Sequence, residues 1–242
     1  MELPDGFVVS SQSPIKSIPE TLPSFVIVSF HTSGDQGRHY EQEVGPFLQA
    51  AEKHGYRDRC LILDAGPRPK WREATMLKPV VIRWAFETFA TNIVWIDIDA
   101  RIRGRLDLFH DWGTEDFGIR QRPENGKHNR QRIHWLSGTL FFRQHSQACC
   151  ELLQEWERGA IMGANRRDIY ANLEGDQDVL AVFFRGMMED NTITYVELPP
   201  EYVFVFDIDK QRFPDKTPVI EHFQASRRRR KWPMNKTPQC PL

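Results

Sequence analysis

Two aspartates at the end of an apolar run are the residues of this sequence best suited to chemistry. The segment NIVWIDIDARI, residues 92–102, places Asp97 and Asp99 on either side of a single isoleucine. On a strand, residues two apart point to the same side, so both carboxylates would converge beyond the strand's carboxyl end. Two close carboxylates repel each other unless a cation lies between them, and an oxygen-rich site suits Mg²⁺ or Mn²⁺. We therefore predict a divalent metal site at Asp97 and Asp99.

The same tripeptide also has a purely structural interpretation. D-x-D is frequent in proteins, and most instances are turns or solvated strand edges. The position of this one, directly after four apolar residues, favours the metal site, because open α/β sheets bind ligands at the carboxyl ends of their strands.

Strand-like and helix-like segments alternate ahead of the aspartates. FVIVSF (25–30) and CLIL (60–63) are continuous apolar runs, typical of strands covered on both faces. Apolar residues recur at helical spacing in 40–51 and again in 77–89. This order predicts right-handed crossover units. The expected fold class is therefore α/β, with a mixed, mainly parallel sheet flanked by helices in a single domain.

The second half of the chain is more mixed, and the termini are irregular. We predict further strands at 116–122, 136–143, 193–198, 202–207 and 218–223, and helices at 146–158 and 176–188. Four prolines in residues 1–24 predict an irregular N-terminal arm. The domain is expected to span 25–232, followed by a C-terminal tail at 233–242.

Composition excludes some classes of protein. Lysine and arginine number 32 against 33 acidic residues, a formal net charge of -1, which argues against a generally basic protein that coats nucleic acid. The four cysteines show no CxxC spacing, as is typical of a reducing compartment. No signal-peptide pattern and no apolar window of roughly 18 residues is present. We expect a soluble, cytoplasmic protein without a membrane span.

From about Phe25 to Lys231, the order of motifs resembles the GT-A glycosyltransferases, especially the small nucleotide-diphospho-sugar transferases with a W-x-D-x-D-A strand. The resemblance implies a Rossmann-like GT-A fold and sugar transfer from a nucleoside diphosphate. In that family the D-x-D motif chelates Mn²⁺ or Mg²⁺ on the donor's diphosphate. That role would fall on Asp97 and Asp99, with Asp97 also near the ribose.

The resemblance also implies roles for residues in five other segments. LKPVVIRWAF (77–86) would bring Lys78 and Arg83 to the donor, and SGTLFFR (137–143) would line the sugar pocket. GDQDVL (175–180) resembles a D-Q-D element near the anomeric carbon, whose catalytic residues would be Asp176, Gln177 and Asp178. PVIEHFQASR (218–227) resembles a late histidine element. The remaining residues implied are Ser137 and Gly138 at the sugar, His222 as third metal ligand, Ser226 and Arg227 at the diphosphate, and Ser29, His31 and Thr32 at the nucleoside.

Each of these residues also has an ordinary structural explanation. Lys78 precedes a proline near a helix start, where a solvent-facing lysine is common, and His222 in a strand is compatible with a hydrogen-bonded core histidine. Asp176 and Asp178 open a predicted helix, where acidic residues cap the helix and favour its dipole. Five other histidines have no metal-ligand spacing and are expected at the surface: His39, His54, His110, His128 and His134.

The expected activity is hexosyl transfer from a UDP-sugar to a hydroxyl acceptor. A retaining reaction would use the leaving phosphate as base, and an inverting one needs a carboxylate base; the D-Q-D resemblance favours retention.

The basic run ASRRRRKW (225–232) departs from the family's short turn. It is either a solvated stretch or, around Arg227, a contact to a polyanionic acceptor such as DNA or RNA, and the basic segment 120–132 is expected to be a loop at the same face.

Two other functions remain open from the sequence. A metal-dependent nucleotidyltransferase also needs paired carboxylates, but no G-x-G-x-x-G or Walker-type run is present. A nucleic-acid-binding module would explain the arginines but not Asp97, Asp99 and His222.

Overall fold

Ten strands and seven α-helices form the part of the chain that the structure describes. The structure is a computed structural model, and it describes residues 2–67, 71–125, 131–164 and 175–223. The strands are β1 (Val8–Val9), β2 (Phe25–Ser33), β3 (Cys60–Pro67), β4 (Asn92–Ile96), β5 (Ala100–Ile102), β6 (Phe117–Asn125), β7 (Gln131–Phe142), β8 (Tyr195–Glu197), β9 (Phe204–Val205) and β10 (Ile220–His222). The helices are α1 (Gly34–Lys53), α2 (Trp71–Thr75), α3 (Lys78–Thr88), α4 (Asp107–His110), α5 (Gln147–Ala164), α6 (Asp176–Glu189) and α7 (Asp209–Arg212).

The main sheet has the strand order β1-β3-β2-β4-β7-β6-β8. The β3–β2, β2–β4 and β6–β8 pairs are parallel. The β1–β3 and β4–β7 pairs and the β6–β7 hairpin are antiparallel. A smaller sheet has the order β5-β10-β9. The predicted class, a mixed α/β sheet flanked by helices in one domain, is confirmed. In the predicted strand at 202–207, a 3-10 helix (Pro200–Val203) precedes the two residues of β9.

The central strands are buried on both faces, as their continuous apolar runs predict. Val26 and Val28 of β2 belong to the core shared with α3, α5 and α6. Phe25 and Ile27 lie on the opposite face of β2 and belong to the core shared with α1 and the small sheet. Fully burying one such side chain stabilises the fold by about 1.5–3 kcal/mol, so both layers hold β2 in register.

A large irregularity interrupts the hairpin beside the end of β4. Gly118 pairs with Phe141 and Arg120 with Leu136, so a step of two residues in β6 faces a step of five in β7. The extra residues of β7 turn toward β4, where the Asp97 amide donates to the Gly138 carbonyl at 2.9 Å. Such bulges redirect side chains out of a regular ladder. This one brings residues 137–139 next to the carboxyl end of β4.

The N-terminal segment lies along the edge of the main sheet. β1 pairs antiparallel with β3, and the Ser10 amide donates to the Ile62 carbonyl at 2.9 Å. The segment expected to be irregular therefore contributes a two-residue edge strand. The expected C-terminal tail lies outside the described residues.

In the described part of the chain, no helix is long and apolar enough to cross a membrane. Cys60, Cys149 and Cys150 are free thiols.

Asp116 joins four elements at the end of the main sheet that lies away from the carboxyl end of β4. Its carboxylate accepts hydrogen bonds from the Arg143 guanidinium (2.8 Å), the Ser146 hydroxyl (2.7 Å), and the amide (3.0 Å) and hydroxyl (2.6 Å) of Thr194. Burial would raise the pKa of Asp116, but the donors from Thr194, Arg143 and Ser146 outweigh it and lower this pKa to about 2. The carboxylate therefore ties the ends of β6, β7 and β8 to the start of α5.

We predict that Asp116→Asn lowers the free energy of unfolding by about 2 kcal/mol at neutral pH, because one acceptor oxygen becomes a donor facing other donors. A lowered folded-state pKa stabilises fully above the unfolded value of about 3.9, and this stabilisation is lost as the pH falls toward the folded-state pKa. The difference from wild type should therefore be complete above pH ~5 and shrink as the pH falls toward 2. Urea unfolding at several pH values measures it. The exposed Asp215→Asn is the matched control, and an equal loss in both variants would contradict the role of Asp116.

Candidate active site

A cavity of about 490 Å³ opens at the carboxyl ends of β2 and β4. Its walls come from strands β2, β4, β6, β7, β9 and β10 and from helices α1, α2, α3 and α6. Most of the site residues predicted from the sequence line it: His31, Thr32, Lys78, Asp97, Asp99, Ser137, Gly138, Asp176, Gln177, Asp178 and His222. The structure thus brings together residues from six separate segments of the chain.

Asp97, Asp99 and His222 form a compact cluster in this cavity, which we call the metal-type cluster. One ligand atom from each of the three lies within 4.8 Å of the other two. Two oxygens and one imidazole nitrogen are a donor set that Mn²⁺ and Mg²⁺ accept. The aspartates follow β4, and His222 ends β10, which the small sheet holds against residues 100–102 through antiparallel pairing. Among the described residues, these three alone could hold a metal ion as a group of at least three such ligands.

The His222 imidazole is held neutral and in one orientation. Its Nε2 lies 2.9 Å from the Thr139 hydroxyl, inside the bulge of β7. Burial lowers the pKa of His222 to about 3, and the charges of Lys78 and Arg120 act in the same direction. With Nε2 in this hydrogen bond, Nδ1 is the nitrogen left to bind a ligand. A second hydrogen bond that fixes the ring in this way is typical of metal-binding histidines.

Gly138 leaves the space that the imidazole occupies. A Cβ at this position would lie 2.9 Å from His222 Cε1, 3.0 Å from Nδ1 and 3.4 Å from Asp97 Oδ2. The first two distances are shorter than van der Waals contact. Only glycine therefore allows the β7 backbone, the histidine and the aspartate to meet at this point.

Lys78 is a buried cation between two carboxylates. Its Nζ lies 3.0 Å from Asp97 Oδ1 and 3.0 Å from Asp176 Oδ2, and it donates to the carbonyl (3.2 Å) and hydroxyl (3.1 Å) of Ser137. Burial would lower the pKa of Lys78, but Asp176 and Asp97 outweigh it and hold this pKa above its ordinary value. The side chain is therefore charged and joins the metal-type cluster to the start of α6.

The two oxygens of Asp97 face different groups. Oδ1 accepts from the Trp95 indole nitrogen at 2.8 Å, in addition to the contact with Lys78. Oδ2 is the oxygen nearest Gly138 and faces the same space as the His222 ring. Trp95 and Lys78 therefore fix the rotation of the carboxylate and leave Oδ2 directed at the cluster.

The D-Q-D segment forms another wall of the cavity. Asp176 accepts from the Ser137 hydroxyl at 2.9 Å through Oδ2, and its carbonyl accepts from the Trp156 indole at 2.9 Å. Gln177 Oε1 accepts from the Ser137 amide at 3.4 Å. Gly175 is the N-cap of α6, and Asp176 is the first residue of the helix. The Asp176 carboxylate therefore does not cap the helix, and it contacts Lys78 and Ser137 instead.

At the end of β2, His31 and Thr32 are buried and line the cavity. His31 Nε2 lies 3.3 Å from the Ser10 hydroxyl of the N-terminal segment, and its Nδ1 lies 4.0 Å from Asp64 Oδ1. Ser29, two residues earlier, is fully buried and does not line the cavity.

One other predicted site residue, Arg83, does not line the cavity. Arg83 lies on the outer side of α3, where it pairs with Glu87 at 2.8 Å and with Glu157 at 2.7 Å. Two carboxylates therefore hold Arg83 outside the cavity, and its expected place near the donor stays a prediction. Ser226 and Arg227 lie outside the described residues.

Two residues of the β6–β7 hairpin line the cavity although sequence reasoning did not select them. His134, expected at the surface, is half-buried in the cavity wall, and Arg122 is 5% exposed there. Arg122 is the last residue of the strand predicted at 116–122, and the basic segment 120–132 was expected to be a loop, but β6 continues to Asn125. The alternation of Arg120 and Arg122 in a predicted strand was the signal available, since residues two apart share one face.

A buried ion pair supports the floor of the cavity. The Arg120 guanidinium contacts both carboxylate oxygens of Asp209, at 2.5 Å and 2.8 Å, and also donates to the Val203 carbonyl at 2.5 Å. Asp209 accepts in addition from the Val205 amide at 2.7 Å. Val203 and Val205 line the cavity, so this pair fixes the strand that lies beside β10.

Comparison with known proteins gives the fold. The chain matches no protein-family model and no curated protein sequence. Its structure is similar to the crystal structure of a glycosyltransferase involved in glycosylation of the major capsid of PBCV-1, with a TM-score of 0.60 and 14% identity over 86% of this chain and 97% of that one. It is also similar to the apo structure of the bifunctional glycosyltransferase WbbM, with a TM-score of 0.50 and 12% identity over 85% of this chain and 46% of that one. The fold is therefore one that glycosyltransferases use.

We predict opposite effects for two glycine-to-alanine substitutions. Gly138→Ala should lower the free energy of unfolding by about 1–3 kcal/mol, because its methyl group overlaps the His222 ring. Gly186→Ala, in α6 with nothing within 4 Å of the added methyl, should be neutral or stabilise by about 0.5–1 kcal/mol. Thermal and urea unfolding measure both. A Gly138→Ala variant as stable as Gly186→Ala would show that the imidazole is not held where described.

We also predict that Lys78→Met lowers the free energy of unfolding by about 3 kcal/mol at pH 8, because it leaves two close carboxylates without their cation. Urea unfolding at pH 8 measures this loss. The exposed Lys210→Met is the control, and a Lys78→Met variant as stable as Lys210→Met would contradict the role of Lys78.

Proposed function

We propose that this chain is a metal-dependent glycosyltransferase of the GT-A type, which transfers a hexose from a nucleoside diphosphate, most simply UDP, to a hydroxyl acceptor. One observation carries the proposal: the Asp97, Asp99 and His222 cluster shares a single cavity with Lys78 and the D-Q-D segment, on a fold that glycosyltransferases use. A pocket where few polar groups converge at strand ends is typical of an active site.

The residues of the cluster fit a divalent cation. The donor set is two carboxylates and a neutral imidazole, and the Gly138 position leaves room beside them. Asp97, Asp99 and His222 would hold Mn²⁺ or Mg²⁺. When bound, such an ion neutralises charge that develops on a leaving diphosphate. Thr139 and Trp95 keep two of the ligands in their orientation.

The chain's own groups supply the rest of the donor site. Lys78 remains charged beside the cluster, so its ammonium can attract the diphosphate, as cations at a leaving phosphate lower the barrier to transfer. His31 and Thr32 lie on β2, the strand next to β4, and would border the nucleoside. Ser137, Asp176 and Gln177 are linked by hydrogen bonds and would face the hexose.

The proposed reaction exchanges one bond at the anomeric carbon. The acceptor oxygen forms a bond to that carbon, and the bond to the diphosphate oxygen breaks with its electron pair on the diphosphate. The acceptor's proton passes to a base, which is the leaving phosphate in a retaining reaction or a carboxylate in an inverting one. Gln177 is uncharged and lines the cavity, which suits stabilisation of the sugar more than proton removal.

Donor hydrolysis tests this proposal. The protein is incubated with Mn²⁺ and UDP-glucose, UDP-galactose, UDP-GlcNAc or GDP-mannose in turn, and the released nucleoside diphosphate is measured. We predict slow, metal-dependent release from one donor, and a loss of about 100-fold in Asp99→Asn because a metal ligand is removed. Asp215→Asn, an exposed aspartate, is the matched control.

The products separate the alternatives. Release of a sugar 1-phosphate rather than a nucleoside diphosphate would indicate nucleotidyl transfer. No release from any donor with Mn²⁺ or Mg²⁺, together with no change in melting temperature on adding UDP, would reject the proposal, because a bound donor must stabilise the fold by mass action.

A further inference from the structure

We infer that Arg122 and His134 form an acceptor subsite that recognises an anionic group, a carboxylate or a phosphate, near the hydroxyl that receives the sugar. The inference rests on the proposed function and names the chemistry of its acceptor. It depends on the pairing of two strands and on the position of that pair relative to the metal-type cluster.

Arg122 and His134 lie directly opposite each other in the β6–β7 hairpin. Residues directly opposite on antiparallel strands point to the same face, with Cβ atoms about 4.5–5.5 Å apart. Both side chains line the cavity. The wall at this point therefore offers a guanidinium and an imidazole side by side.

This pair is separated from the metal-type cluster by an apolar step. Leu136, which also lines the cavity, lies between His134 and Ser137 on β7. The regular pairing of β7 with β6 continues to Leu136, and the bulge that carries Ser137 begins only after it. Arg122 and His134 therefore lie beyond Leu136 from the Ser137, Asp176 and Gln177 contacts assigned to the hexose, and we assign a group bound there to the acceptor.

The chemistry of the pair favours an anion. A guanidinium is always charged and presents paired N–H donors that match a carboxylate or a phosphate. Arg122 is 5% exposed, so its charge acts in a site that water screens poorly. Its neighbour two residues earlier, Arg120, already shows this bidentate geometry with Asp209. His134 can add a hydrogen bond from its ring.

The test measures how strongly acceptor mimics bind to the full chain saturated with UDP and Mn²⁺. The pairs are 4-nitrophenyl glucuronide against 4-nitrophenyl glucoside, and glycerol 3-phosphate against glycerol, by calorimetry or ligand-observed NMR. We expect the anionic member of at least one pair to bind about 10-fold more tightly. A preference in the glucuronide pair would indicate a carboxylate, and a preference in the glycerol pair would indicate a phosphate.

Variants assign the preference to the subsite. Arg122→Gln should remove most of it, Arg122→Lys should keep part, and His134→Asn should reduce it. Arg105→Gln, an arginine whose side chain is 81% exposed, should keep it in full. A melting temperature for each variant establishes that it is folded, and Arg122→Lys keeps the test valid should Arg122→Gln fail to fold.

Equal binding of charged and neutral mimics, or a preference that survives in Arg122→Gln, would overturn the inference. An Arg122-dependent preference for UDP-glucuronate over UDP-glucose would also overturn it, by placing the anion on the donor sugar. Failure of UDP to bind the wild-type chain with Mn²⁺ would instead count against the proposed function. The two failures are therefore distinguishable.

Discussion

The site depends on one electrostatic constraint, which is that several carboxylates crowd a cavity where water screens their charges poorly. Lys78 meets this constraint by contacting Asp97 and Asp176 together. A cation at the first residue of a helix is unfavourable with respect to the helix dipole, so the two carboxylates must outweigh that cost. The positions of α3, α6 and the end of β4 are therefore coupled through a single ammonium group.

The bulge in β7 is the second element on which the site depends. In a regular hairpin, residues 137–139 would remain in the ladder with β6. Because β7 carries extra residues there, Ser137 reaches Asp176, Gly138 reaches Asp97, and Thr139 reaches the histidine of β10. One local departure from regular geometry thus connects the metal-type cluster to the wall that would hold the sugar.

Much of the fold was predictable because its strongest signals are local. The apolar runs of β2, β3 and β4 and the helical spacing between them specify the parallel half of the sheet. The site was predictable where chemistry and motif order coincide, as for Asp97 and Asp99. The position of Arg83 outside the cavity was not predictable because motif order does not reveal which side of a helix faces the cavity, and its partner Glu157 lies 74 residues away.

The buried arginines could not be predicted from local sequence patterns. Arginine is rarely buried unless paired, and the basic segment 120–132 was expected to be a loop, although its first three residues also belong to the strand predicted at 116–122. Arg120 is buried because Asp209, 89 residues later, supplies its partner. No local pattern contains that information. The pairing of Arg122 with His134 likewise follows only from the hairpin register.

The position of His222 at the end of β10 has a consequence for the synthesis of the protein. Asp97 and Asp99 leave the ribosome more than a hundred residues before the histidine, and β10 must insert between β5 and β9 before the imidazole reaches them. A nascent chain that stops short of β10 therefore carries the aspartates without their third partner. The cluster is therefore complete only when the small sheet is complete.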